Sequence, residues 1–176
     1  MSLNLKIEPN HLIMAIKGQT LVNTRSKQVI EFITTSNDSN GNLLEMVSSW
    51  QPNAPEPPEH YHPFQKEYFK VYEGELTVRQ NGETTIYRAS EMFEIDKGIA
   101  HAVWNASGKT AKVYWKVKPA LRTENMLEIR AKLSQKGMFV TKLLTRLLLP
   151  IKYRKELRIG KGSFLNSMYI LIQNDH

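Results

Sequence analysis

The sequence contains no cysteine. That removes disulfides, thiolate metal ligands, zinc knuckles and cysteine nucleophiles together. It also has no apolar run near the roughly 20 residues needed to span a bilayer; the longest candidates, 143–149 and 168–172, are far shorter. The opening MSLNLKIEPN lacks the basic, apolar, small-residue order of a secretory signal. A cytoplasmic protein is the expectation. Phosphate-cradling motifs are missing as well, with no G-x-G-x-x-G and no Walker lysine. The absence of His-Glu-x-x-His argues against a zincin protease.

What is present is enough to fold. Of 176 residues, 41% are hydrophobic, a size and composition that fit one domain with a modest appendage. The net charge of +7 is unevenly placed. Residues 1–117 carry 12 basic and 13 acidic side chains, a balance of −1, whereas residues 118–176 carry 12 and 4, a balance of +8. The alkaline character belongs to the last third, and a boundary near Pro119 divides a 1–118 unit from a basic 119–176 extension.

The first unit reads as short strands. Asn81-Gly82 sits between the strand-like runs 75–80 and 83–88, the strongest short-range hairpin cue because both turn residues must tolerate positive φ. Residues 111–118 alternate strictly, with Val113, Trp115 and Val117 on one face and Lys112, Tyr114, Lys116 and Lys118 on the other. Further candidates are 28–34, 43–51, 67–72, 92–95 and 100–105. Such short, regular strands predict a sandwich or barrel. The stretch 51–58, with prolines at 52, 55, 57 and 58, is a stiff loop.

Beyond Pro119 the period changes. Residues 122–136 predict a helix with Met126, Ile129 and Leu133 on one stripe. Val140, Leu143, Leu144, Leu147 and Leu148 have amphipathic helical spacing that should stop at Pro150, and 163–173 is a third helix candidate. The mainly β fold therefore carries a C-terminal α-helical extension.

Chemistry concentrates in one constellation. His60-Tyr-His62 puts two imidazoles at i and i+2, the same face of a strand. A turn helped by Pro63 lets a new strand begin at Glu67, sharing its face with Phe69 and Val71. Far along the chain, Gly98-Ile-Ala-His101 sets a third imidazole just after a turn. Three imidazoles and a carboxylate form a borderline-hard donor set suited to Fe, Mn, Ni, Co, Cu or Zn as a divalent ion, with positions left open for water or substrate. His11 and His176 stand outside this pattern and are read as satisfied core or surface residues rather than ligands.

His60-x-His62-x4-Glu67-x6-Gly74 resembles the first motif of the cupin superfamily, and Gly98-x2-His101-x3-Asn105 resembles most of the second. The resemblance covers 43–118. It implies a jelly-roll β-barrel in which His60, His62, Glu67 and His101 converge on one divalent metal ion. It departs at turns: Ala54 and Ser90 replace usual glycines, and Asp96 replaces a usual proline. Met46, Trp50, Phe69, Met92 and Trp115 are candidates for a substrate pocket. Asn105 is read as fixing a turn, and Gln65 as a solvated loop residue.

Two functional readings follow. One is a mononuclear metal-dependent enzyme, dioxygenase-like or an isomerase or decarboxylase, on a small organic substrate. The other is a non-catalytic metal- or small-molecule-binding module that uses its helical tail as a contact surface. A homodimer is expected, from the family resemblance and the exposed leucine stripe. The basic amphipathic tail also allows a membrane-surface contact. Its aromatics are too sparse for a nucleic-acid stacking platform.

Overall fold

The computed structural model describes residues 15–136 and 148–160. His11, His176, the residues of the leucine stripe up to Leu147 and the third helix candidate lie outside the described residues. In chain order the strands are β1 (Thr20–Asn23), β2 (Gln28–Thr34), β3 (Leu44–Trp50), β4 (His60–Tyr61), β5 (Lys66–Glu73) and β6 (Glu75–Gln80). They continue with β7 (Glu83–Arg88), β8 (Met92–Ile95), β9 (His101–Trp104), β10 (Ala111–Lys118) and β11 (Arg158–Ile159). Among the described residues, the helical segments α1 (Thr123–Ser134) and α2 (Leu149–Lys152) lie between β10 and β11.

All pairings are antiparallel and make two sheets, ordered β1-β2-β3-β10-β5-β8 and β11-β4-β9-β6-β7. This mainly β architecture with a C-terminal helix is the jelly-roll arrangement the motifs imply. Period-2 burial drives it: β3 buries Leu44, Met46, Ser48 and Trp50, and β5 buries Glu67, Phe69 and Val71. One apolar cluster, including Phe69, Leu76, Phe93, Val103 and Val113, fills one end of the space between the sheets. A second, including Phe32, Leu44, Met46, Val117 and Leu127, fills the other, and Trp115 packs against both.

The turns obey their residues. Asn81 and Gly82 both adopt positive φ, 51° and 86°, in the two-residue β6–β7 hairpin. Ser90, where a cupin-like motif would place glycine, adopts the left-handed φ of 76° itself. Asn105 fixes a turn as expected: its Nδ2 donates to the carbonyls of Trp50 (3.0 Å) and Lys109 (2.7 Å).

Helix α1 is clamped onto the sheets at both ends. Gln65 is fully buried, not solvated, and its Nε2 donates to Ala120 O (3.0 Å) and Thr123 Oγ1 (2.7 Å). At the far end Thr24 Oγ1 donates to Ser134 O at 3.0 Å. These ties rotate the helix from the expected stripe. Thr123, Met126, Leu127, Ala131 and Ser134 are buried, while Ile129 and Leu133 are only half-buried. Pro150 also behaves differently from expectation. It stands in the first turn of α2, where its missing N–H has no helical partner to lose. The extension then rejoins the barrel, because β11 pairs with β4, Arg158 opposite Tyr61 and Ile159 opposite His60. No helix among the described residues is long and apolar enough to cross a membrane.

Gly74, the last glycine of the first motif, has φ 71°, and a Cβ there would lie 2.5 Å from Thr110 O and 2.9 Å from Ala111 Cα. Both neighbours are backbone and cannot step aside. Gly74→Ala should therefore lose at least about 2 kcal/mol of stability, measurable as a lowered urea midpoint, whereas a midpoint equal to wild type would show that the β5–β6 corner is free to relax.

Candidate metal centre

The four motif side chains come from both sheets. His60 on β4 pairs directly with His101 on β9, and His62 follows two residues after His60. Glu67 enters from β5 in the facing sheet, so the group lies between the layers. The imidazole centroids of His60, His62 and His101 are 4.4–5.2 Å apart, and one ring nitrogen of each falls within 4.8 Å of the others. Glu67 Oε2 lies 3.0 Å from His101 Nε2 and 3.3 Å from His62 Nε2. All four predicted residues are brought together.

Their protons are set by the backbone. Nδ1 of His60 faces Pro58 O at 3.2 Å, Nδ1 of His101 faces Ile99 O at 2.9 Å, and Nδ1 of His62 makes a short contact with Glu156 O. A carbonyl only accepts, so each Nδ1 carries the hydrogen and each neutral ring keeps its lone pair on Nε2. Trp115 Nε1 donates to Glu67 Oε1 at 3.0 Å, fixing the carboxylate plane. These are the outer contacts that orient ligands in metal sites.

The remaining atoms form an unmatched set. His62 Nε2 and Glu67 Oε2 are buried without a hydrogen-bond partner. Lone pairs facing a carboxylate oxygen call for a cation between them, and a buried carboxylate without one costs about 3–5 kcal/mol. The donor types suit a borderline divalent ion.

The electrostatics agree. Burial, reinforced by the neighbouring His101 and His62, holds His60 well below the usual histidine range, so it is neutral. Burial alone would push Glu67 up, but His62 and His101 hold it well below the usual carboxylate range. Burial alone would lower His62, yet the Glu67 carboxylate and the Glu156 carbonyl raise it.

His60, Glu67 and His101 line an inner cavity of about 70 Å³, walled by Trp50, Phe69, Val103, Trp115 and Leu127. Ser26, Pro55, Pro57, His60 and Arg130 line both this cavity and an outer cleft of about 260 Å³. Of the five residues expected to form a substrate pocket, Trp50, Phe69 and Trp115 line this space. Met46 does not: it is fully buried in the other apolar cluster, since β3 runs towards the helix-covered end there. Met92 does not either, being 69% exposed because β8 turns Phe93 and Ile95 inward instead.

Two contributions escaped the sequence reading. Glu156, far outside both motifs, holds His62 through a backbone carbonyl, which no side-chain pattern reveals. Arg130 of α1 lines both the inner cavity and the outer cleft. The signal was its place on a helical stripe: Thr123, Leu127, Arg130 and Ser134 recur at i, i+4, i+7 and i+11, a charged residue on the face that carries buried neighbours.

Residues 46–117 match the family described as the cupin domain, and the strands and ligand geometry agree with it. This stretch is similar to a cupin domain. Among curated proteins, this chain is 36% identical over 61 residues to the tetracenomycin polyketide synthase protein TcmJ of Streptomyces glaucescens, covering 35% of this chain and 41% of that protein. The match thus spans less than half the relative's length. Among solved structures, a predicted oxalate decarboxylase from Thermotoga maritima superposes with a TM-score of 0.52 at 16% identity, covering 59% of this chain and 93% of the other. The polyketide cyclase RemF from Streptomyces resistomycificus superposes with a TM-score of 0.50 at 17% identity, over 60% and 78%. At these identities the likeness is one of fold.

Trp115→Phe keeps the ring packing and removes only the hydrogen bond to Glu67. It should weaken zinc or cobalt binding about 10-fold or more, read by competition with a chromophoric chelator, while folding cooperativity is retained. Unchanged affinity would mean that the Glu67 carboxylate takes no part in holding the ion.

Proposed function

We propose that this protein is a metal-dependent enzyme acting on a small organic molecule that enters the cleft and meets one divalent ion held by His60, His62, Glu67 and His101. The observation that carries the proposal is a buried histidine–carboxylate set with His62 Nε2 and Glu67 Oε2 unmatched, beside a cavity that His60, Glu67 and His101 line. A purely structural polar cluster would satisfy its own members and would need no entrance.

The ion, when bound, would supply Lewis acidity or the means to activate dioxygen. The chain supplies the rest. The carbonyls of Pro58, Ile99 and Glu156 accept from the three Nδ1 atoms and so turn the imidazoles. Trp115 holds the carboxylate and, with Trp50 and Phe69, presents an apolar wall that excludes water and suits a flat or aliphatic substrate body. Glu56, at the cleft rim, is engaged by Arg79 at 2.7 Å, so the inner cavity offers no acid or base among the described residues apart from the ligand set. Dioxygenase-like chemistry fits that apolar lining best, while an isomerase or decarboxylase would need its proton carried by water or by the substrate. The match to a polyketide synthase protein supports oxygen-rich, partly aromatic compounds as the first substrates to try.

A non-catalytic binding module is the competing reading, favoured by the same apolar walls. The two separate on turnover. Protein loaded with Fe(II), Mn(II) or Ni(II) should consume oxygen or substrate with at least one compound from a panel of catechols, β-diketones and flavonols, and His62→Ala should abolish it. Binding without turnover across the panel would favour the module, and turnover that survives His62→Ala would remove the ion-centred mechanism.

A further inference from the structure

We propose that Arg130 anchors the carboxylate of a small organic acid, so that the apolar body of the acid lies against Trp50, Phe69 and Trp115 and next to the histidines. This deepens the reading above, on which it rests for its chemistry though not for the contact itself.

Arg130 belongs to α1, outside the region that matches the cupin family. It reaches the same inner cavity as His60, Glu67 and His101 and also borders the outer cleft. It is therefore a cation shared by the outer cleft and the cavity that the histidines line. Among the described residues no carboxylate is paired with it. Glu56 is held by Arg79 at 2.7 Å, Glu128 accepts from Gln19 at 3.0 Å, and Glu67 accepts from Trp115 through Oε1 while its Oε2 faces His62 and His101. Burial disfavours its charged form, and no neighbouring acid compensates.

A guanidinium set in an apolar-walled cavity without a protein counter-ion is suited to one brought by the ligand. Its planar fork matches the two oxygens of a carboxylate. Among the described residues, the inner cavity presents this single cationic side chain, whereas Arg25 stands on the outer cleft. One fork beside tryptophan and phenylalanine faces fits a monocarboxylate on an apolar frame better than a phosphate dianion, which asks for more donors.

Calorimetric titration of 2-naphthoate against its uncharged counterpart 2-naphthamide tests this on metal-loaded and metal-free full-length protein. Wild type should bind the acid at least 10-fold more tightly than the amide. Arg130→Gln should erase that preference, and Arg130→Lys should keep part of it, with bound metal per chain and thermal midpoint close to wild type in both. Equal affinity of wild type for acid and amide, or an undiminished preference in Arg130→Gln, overturns the proposal, as does inorganic phosphate competing as strongly as naphthoate. The acid–amide comparison needs no variant, so it decides even if the substitutions impair folding. If the chain takes up no metal while the preference persists in metal-free protein and falls in Arg130→Gln, the ion-centred reading fails and the anchor stands.

Discussion

A neutral imidazole has one N–H and one lone pair, and the protein decides which nitrogen carries which. Here three backbone carbonyls take the Nδ1 hydrogens of His60, His62 and His101, leaving three Nε2 lone pairs beside a buried carboxylate. That arrangement is unstable as an empty polar cluster and favourable around a cation. The reading of the site depends on it. The strand pairing that sets His60 opposite His101, the Trp115 bond to Glu67 and the apolar walls all serve to hold unmatched atoms in place.

The basic extension is part of this machinery. Its β11 extends the sheet beside β4, its Glu156 carbonyl holds His62, and its Leu157 and Ile159 help to wall the outer cleft. The buried Glu156 side chain, bonded to Arg122 at 3.1 Å, keeps that carbonyl in position by tying it to the start of α1. Arg122 is in turn held above its ordinary range by the same carboxylate. The cupin match supplies the ligand side chains, and residues beyond it supply one ligand's support and the cleft's cationic wall.

The barrel and the ligand quartet were legible because both rest on short-range rules. A period of two places Glu67, Phe69 and Val71 on one face, Asn-Gly forces a hairpin, and His-x-His points two rings the same way. Other features depend on information that no local pattern holds. Parity says that Met46 faces inward but not which end of the interior it reaches. Arg130 reads as an ordinary solvated helix residue until its stripe is known to face the cleft. Gln65 looks like a loop amide, and only the docking of α1 reveals it as a buried tie between barrel and helix. Backbone acceptors such as Glu156 O carry no signature in sequence at all.

The central claim, that four side chains from two facing sheets share one ion, is tested most directly by X-ray absorption at the edge of the metal that the purified protein takes up. The account predicts imidazole scattering from three histidines together with a carboxylate oxygen, all at about 2.0–2.2 Å. A first shell built of water and surface carboxylates, with one imidazole or none, would contradict it.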